Sequence, residues 1–446
     1  MKNFCGLGDD QGMKSNVKQQ TREEIFNFYA KHRQECDENY ELAEDENISN
    51  IYDYIDDETI KNTLFAKTSA IILTANKYER NILHKRVYQR TAERIKKFEI
   101  ELATACERYN KIYAYWFDWN GYSTLHIHAN VTGSYTIGGS ADIIRWILLN
   151  KYLFPVVIIS FGICFGTEPQ SSELGDVIIS KKVYPYFIGA KINGKELQVV
   201  DDNVFEIDWG LHNKINDLRN NNKFKGLRVK FKNYITGEAV INSESVRDKF
   251  THITTQEIFA GDMEGYGLFK ECKNGKCKIP CMVLKSICDW GTEKNFNEKD
   301  EKTLLEFKKA IKHTLPTSNS EENILKSLKD RLQAFSANCA FNVLEVMINN
   351  GIFSPSILDC LKEWLVSYTG VATSCKFVKK TICNLICNAQ LGDTVSDSFV
   401  HRCLIILADE GLVQCEPSCM SNRKVSNDID DCIHLEKNAS IEITKG

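Results

Sequence analysis

The sequence predicts an α/β fold, a doubly wound, mixed but mainly parallel sheet, followed by a small helical module. Three observations predict it. Between Ala66 and Gly351 short apolar runs alternate with helix-length segments, and parallel strands covered on both faces read as such continuous runs. Two of these regions carry acids at a segment end, in "GDMEG" (Gly261 to Gly265) and "ICDWG" (Ile287 to Gly291). A strand that ends in an acid delivers it to the sheet edge, where open α/β sheets bind ligands. After Gly351 the strand pattern stops and only helical patterns continue.

Composition sets the frame for these elements. A chain of 446 residues allows two or three domains, and 43% hydrophobic with 26% charged residues supplies an ordinary large core. Lys and Arg number 56 against 60 Asp and Glu, a net charge of −4, so no global basic field points to nucleic acid. Seventeen cysteines without an apolar leader after "MKNFCGLGDDQGMK" fit a reducing cytosol, and a cytoplasmic protein is expected. The longest apolar run, Tyr152 to Gly166, contains Pro155 and falls short of the roughly 20 residues that span a bilayer. It reads as a buried strand and its loop.

In chain order, residues 1–65 read as a helical and acidic extension. A helix is expected from Asn16 to Gln34, then a solvated or partner-contacting acidic stretch from Glu35 to Glu58. "SAIILTA" (Ser69 to Ala75) is a strand, "NKYERNILHKRVYQRTAERI" (Asn76 to Ile95) a helix, and "STLHIHANV" (Ser123 to Val131) a strand. A helix opens at "GGSADIIRWILLN" (Gly138 to Asn150), and strands follow at "PVVIISFG" (Pro155 to Gly162), "LGDVIISKKVYPY" (Leu174 to Tyr186) and "LRVKFKNYITGEAVI" (Leu227 to Ile241). The polar segment 292–329 reads as an insertion or lid, and Arg331 to Gly351 has the apolar spacing and terminal glycine of an amphipathic helix. Residues 66–351 thus form one domain. Residues 352–446 form a second, with helices expected over Ser354–Tyr368, Cys375–Ala389 and Ser396–Gly411. "CLIILADEGLV" resembles the last helix and turn of a winged helix; without a basic stripe, this module is expected to bind protein or drive oligomerisation rather than bind DNA.

Five pieces in order carry a family resemblance: "IILTANKYE", "ISFGICFG" with "LGDVIIS", "ITGEAVI", "DMEG" and "ICDWG". Over Ala66 to Gly351 the chain resembles the nucleoside phosphorylase and nucleosidase superfamily, nearest the nucleosidase-like effector domains of antiviral immune proteins. The resemblance implies one doubly wound domain in a homo-oligomer, dimeric or higher, that needs no cofactor. It also implies hydrolysis of the N-glycosidic bond of a purine nucleotide such as ATP, releasing free base and depleting a nucleotide pool. The alternatives are a housekeeping methylthioadenosine or purine nucleoside nucleosidase or phosphorylase, and a catalytically degenerate nucleotide sensor.

The chemistry explains the residue types. Breaking an N-glycosidic bond gives an oxocarbenium-like ribosyl centre and a base that must not leave as an anion. By the resemblance Asp289 protonates the purine, and a strand-end position is expected to raise its pKa from about 4 toward the working pH. Glu264 accepts two ribose hydroxyls, Met263 lies against the sugar, and Asp262 stands where the family usually has Glu, so its reach into the water or hydroxyl network is shorter. Glu79 matches the glutamate that activates the attacking water. Ile163, after Gly162, occupies the place of a phosphate-binding serine in many relatives, which favours hydrolysis over phosphorolysis. Glu238, Val240 and Ile241 match the base-contacting strand; Val240 replaces an aromatic, leaving more to the backbone of Ile241.

The substrate's 5′ end stays open. Ile137, Gly138, Gly139 and Ser140 begin a helix whose free N–H groups suit a phosphate, with Lys77, Arg80 and Lys285 adding charge; equally, the glycines serve close packing of helix on sheet. His126 and His128 share one face of a strand without an evident third ligand and read as core or surface histidines. Cys272 and Cys277 flank a turn, and Cys415, Cys419, Cys432 and His434 are too irregularly spaced to predict zinc.

Overall fold

The computed structural model describes residues 24–103, 109–129, 131–150, 153, 155–167, 171–186, 190–193, 196–199, 204–237, 257–274, 279–291, 321–353, 372–374, 413–415 and 440–443. The elements run α1 (Arg33–Glu44), a 3₁₀ turn (Glu46–Ile51), β1 (Tyr52–Tyr54), α2 (Glu58–Lys67), β2 (Ala70–Thr74), α3 (Lys77–Thr91), β3 (Ile95–Ala103), β4 (Tyr109–Trp119) and β5 (Tyr122–His128). They continue with α4 (Ser140–Leu149), β6 (Val157–Gly166), β7 (Val177–Pro185), β8 (Ala190–Asn193), β9 (Glu196–Val199), β10 (Phe205–Glu206), α5 (Trp209–Asn220) and β11 (Val229–Thr236). Then come β12 (Ile258–Asp262), α6 (Gly265–Asn274), β13 (Cys281–Asp289) and α7 (Glu321–Asn349).

One mixed sheet organises the domain, with strand order β1-β3-β4-β5-β2-β6-β12-β11-β7-β10 and β13 bridging β6 and β7. That bridge changes the expected architecture. Strands β6, β12, β11, β7 and β13 pair in a ring and close on themselves, while β1 to β5 extend from the ring as an open wing. Closure needs curvature, and register shifts supply it between Asn233 and Tyr234, between Lys232 and Tyr234, and between Ile287 and Asp289. β2, "AIILT", is buried at all five positions because β5 and β6 flank it in parallel and helices cover both faces.

The two faces separate by alternation along the strands. Ile72, Ile159 and Leu284 share a core with Ile82, Leu83 and Val87 of α3, Leu211 and Ile215 of α5, and Phe341, Leu344 and Met347 of α7. Ile71, Leu73, Leu125, Ile127 and Ile158 pack instead with Phe65 of α2, Ile143, Ile144 and Ile147 of α4, and Leu268 and Phe269 of α6.

Four expectations about elements change. The acidic stretch is no solvated tail: α1 runs through it and buries Cys36, Asn39 and Ala43. Its carboxylates find cations, Glu44 with Lys77 at 2.5 Å and Asp37 with Arg331 at 2.7 Å, while Asp45, just past the helix, pairs with Lys85. Two strands, β3 and β4, fill the interval after α3; β3 buries Ile95, Phe98, Ile100 and Leu102 while Glu99 and Glu101 stay outside. α7 begins at Glu321, inside the segment read as a lid. Strands do not stop at Gly351, since Ala372–Ser374, Val413–Cys415 and Ser440–Ile443 form a three-stranded antiparallel sheet with 440–443 in the middle. The three helices expected beyond Gly351 lie outside the described residues, as does most of the 292–329 segment. No helix among the described residues is long and apolar enough to cross a membrane.

Candidate active site

Glu79 sits in the first turn of α3 for a local reason. Asn76 caps the helix and Glu79 reaches back to the cap, the reciprocal capping box that Asn-x-x-Glu encodes. Glu79 Oε2 accepts the N–H groups of Ala75 (2.8 Å) and Asn76 (2.9 Å), and Oε1 accepts Ile163 N–H of β6 at 2.9 Å. Ile163 therefore contributes through its backbone. Gly162 beside it has φ 142°, and a Cβ there would overlap the Glu79 carboxylate. The side chain is buried, 2% exposed. Burial pushes its pKa up to about 7; Glu264 adds to the rise, and Lys285 and the N–H donors oppose it. A carboxylate offers roughly four acceptor sites, so three N–H bonds leave one for a water.

Lys285, on β13 opposite Gly162, is the positive centre. Its Nζ lies 2.8 Å from both Asp262 Oδ2 and Glu264 Oε2, with the side chain 2% exposed. Burial disfavours that charge, but Asp262, Glu264 and Glu79 outweigh it and hold the lysine protonated well above its ordinary range. Asp262 closes β12 and accepts Gly265 N–H at 3.1 Å. Glu264 Oε1 accepts Gly133 N–H at 3.3 Å. Lys285 is thus committed to two carboxylates and offers no free charge to a phosphate.

Asp289 ends β13, as the sequence implied, and the register shift after Ile287 sets it opposite Phe165. Its Oδ1 accepts Gly291 N–H at 2.8 Å and its Oδ2 lies 3.5 Å from Cys288 Sγ. β6 acts as a ruler: Glu79 is held at Ile163 and Asp289 lies opposite Phe165, backbone positions about 7 Å apart at ~3.4 Å per residue.

The start of α4 joins the site from the other side. Ser140 Oγ donates to the Glu264 carbonyl at 2.7 Å and Ser134 Oγ to the Met263 carbonyl at 2.9 Å. The N–H groups expected to face a phosphate have acceptors within the chain: Gly138 bonds Asp142 Oδ2, Gly139 bonds Thr136 O, Ser140 bonds Gly133 O and Ala141 bonds Ser134 O. Ile137 is 49% exposed. Lys77 turns to Glu44 at 2.5 Å, and Arg80 donates to Asn81 Oδ1 at 3.0 Å. Glu238, Val240 and Ile241 lie outside the described residues. Among the described residues no three His, Cys, Asp or Glu side chains are grouped to hold a metal ion.

Sequence reasoning missed Asn76, Ala75 and Gly133, and gave Lys285 the wrong partners. The capping box was legible; the lysine's partners arrive from the end of β12 and the turn before α6. It also passed over His84. His126 Nδ1 lies 2.8 Å from His84 Nε2, His84 Nδ1 lies 2.8 Å from Tyr52 Oη, and Thr74 Oγ1 lies 2.8 Å from both His126 Nε2 and His128 Nδ1.

Burial holds His84 and His126 well below the usual imidazole range and His128 down to about 3, with Arg80 adding to each effect, Lys97 to the first, and the Thr74 backbone opposing it at His128. In the unfolded chain each takes a proton near 6.5. Their contribution to stability is therefore fully present above about pH 6.5 and is lost as pH falls below it, by about 1.4 kcal/mol per pH unit for each histidine. Urea midpoints measured from pH 7.5 to 5 are expected to fall steeply below 6.5, and a flat profile would contradict the buried neutral chain.

No family model matches the chain. Among curated proteins it is 24% identical over 169 residues to a death domain-containing ATP nucleosidase of Amphimedon queenslandica, a match covering 33% of this chain and 31% of that relative. The chain thus spans about a third of that relative's length. Similar solved structures include a 5′-methylthioadenosine/S-adenosylhomocysteine nucleosidase from Neisseria meningitidis, 14% identical, covering 63% of this chain and 99% of that one with a TM-score of 0.42. The futalosine hydrolase of Helicobacter pylori strain 26695 is 12% identical, with coverages of 64% and 98% and a TM-score of 0.44.

Proposed function

We propose that the chain hydrolyses the N-glycosidic bond of a purine nucleotide, ATP in the first instance, and releases the free base. The observation that carries this is Glu79: a carboxylate with a pKa of about 7, pinned by three N–H groups, with one acceptor site left for water. Glu79 takes the proton of the attacking water, Asp289 protonates the departing purine, and Glu264, steadied by Lys285, accepts the ribose hydroxyls. Met263 lies beneath the sugar, and the 238–241 segment contacts the base. Ile163 brings no hydroxyl to a phosphate nucleophile, so water attacks.

The choice of ATP draws on the name of the curated relative. In this reading the module beyond Gly351 couples the activity to an antiviral signal, and the reaction depletes a nucleotide pool. A second reading, a nucleosidase for unphosphorylated purine nucleosides, draws on the N–H groups of Gly138, Gly139, Ser140 and Ala141, which already have acceptors within the chain.

Incubation with adenosine, methylthioadenosine, AMP, ADP and ATP in phosphate-free buffer, followed by chromatography for free base, separates the two. Base release from ATP faster than from adenosine, with an unphosphorylated anomeric carbon, is expected. Preference for the nucleosides selects the second reading, and base release that requires added phosphate overturns hydrolysis.

A further inference from the structure

Five side chains of four different elements form one unbroken buried line: Tyr52 of β1, His84 of α3, His126 of β5, Thr74 of β2, and His128 again of β5. None belongs to the set that touches substrate in the reading above. His84 and His126 are fully buried, Thr74 is 3% exposed and His128 8%. Histidines are seldom buried without a partner, and here His84 and His126 spend both ring nitrogens on the line and His128 spends Nδ1.

The tautomers along the line are linked. A neutral imidazole carries one donor and one acceptor, and burial keeps these rings neutral. His84 and His126 each use both ring nitrogens, so the tautomer of one sets that of the other, and neither can change alone without leaving a buried acceptor facing an acceptor or a donor facing a donor.

Its placement gives the line a task. Thr74 is the last residue of β2, and the next two backbone N–H groups, of Ala75 and Asn76, are the ones that grip Glu79 Oε2. His84 rides on the same helix as Glu79, a little over one turn along. The line thus ties the strand end that supplies the grip to the helix that supplies the carboxylate, and anchors both to β5 and β1.

We propose that the Tyr52–His84–His126–Thr74–His128 line is the positioning network of the catalytic base, with Thr74 as its hub. The proposal rests on the reading of Glu79 as that base. It assigns to Thr74, His84 and His126 a part in the reaction exerted through Glu79, without contact with substrate.

The test is Thr74→Val, which keeps size and β-branching and removes the hydroxyl, beside Thr74→Ser, which keeps the hydroxyl. In the base-release assay Thr74→Val is expected to lose about 10²-fold in kcat, the scale of an ångström's misplacement of a catalytic group. KM should stay unchanged, and the kcat–pH limb assigned to Glu79 should move. Thr74→Ser should restore both. Should the valine variant fail to fold, Tyr52→Phe at the far end of the line is expected to displace the same limb with a smaller loss in kcat. Unchanged kcat and pH profile in the folded variants, with only the melting temperature lowered, overturns the proposal. Glu79→Gln run alongside keeps the two ideas apart. If it is inactive while Thr74→Val is normal, only the positioning role falls; if it is active, the assignment of the base falls and the proposal with it.

Discussion

Glu79→Gln is expected to reduce kcat by about 10² to 10⁴, the usual contribution of a general base, or roughly 3 to 5 kcal/mol of barrier. The amide keeps the shape of the carboxylate and one acceptor oxygen for the cap of α3, while Ile163 N–H loses its acceptor, so the loss is read on the folded variant. With a pKa of about 7 in the folded protein, Glu79 should set the acid limb of the wild-type kcat–pH profile near 7. The same substitution should flatten the pH dependence of stability. Glu79 is raised from 4.5 to about 7 by burial, then Glu264, so its contribution to stability is fully present below about 4.5 and lost as pH rises through 7. Glutamine does not ionise. The variant should therefore lack the loss of stability that wild type shows between about pH 4.5 and 7, seen as a urea midpoint that changes less over that range. A variant whose stability follows the wild-type pH profile and that is equally active at pH 8 would contradict the assignment on both counts.

Lys285→Met has the largest effect on folding. The ammonium lies 2.8 Å from Asp262 and from Glu264, all three buried, and it acts on Glu79 as well. Removing one partner of a buried pair strands the other charge, at a cost of about 3 to 5 kcal/mol. Here two carboxylates lose their partner and a third loses its nearest opposing charge, so the loss should reach the top of that range. Because those carboxylates can take up protons, the destabilisation should shrink as pH falls. Adding Asp262→Asn should recover part of it, a coupling expected of groups in direct contact. Denaturation of the single and double variants at pH 8 and pH 5 checks both statements; additive losses that ignore pH would contradict the triad.

What was legible in the sequence followed from local rules. β2, β6 and β13 are continuous apolar runs because neighbours cover both faces, and α3 was marked by Asn76 and Glu79 at capping distance. Asp289 was correctly placed at a strand end because β13 and its acid are contiguous. Features that depend on distant pairing were not legible. β3 alternates Phe98, Ile100 and Leu102 with charged residues, and it becomes evident as a strand beside β4. Closure of the ring rests on β13 meeting β7 as well as β6, which no local pattern specifies. Lys285 looked like a spare cation because its two carboxylates sit at the end of another strand and the start of another helix. The acidic run of α1 looked like a tail because Lys77, Lys85 and Arg331 lie far along the chain.

The contact between Gly162 and Glu79 also sets a rule for descent. At φ 142° the backbone at 162 disfavours any side chain, and the glutamate occupies the space that a Cβ would need. A lineage that keeps the glutamate is bound to keep the glycine, whatever happens at the 82 positions between them. A lineage that loses the glutamate is released from the steric half of that constraint, so side chains at 162 should accumulate only after position 79 has changed. The two positions together thus mark, in sequences too divergent for overall identity to be informative, which copies of this fold still hold the buried glutamate and which have lost it.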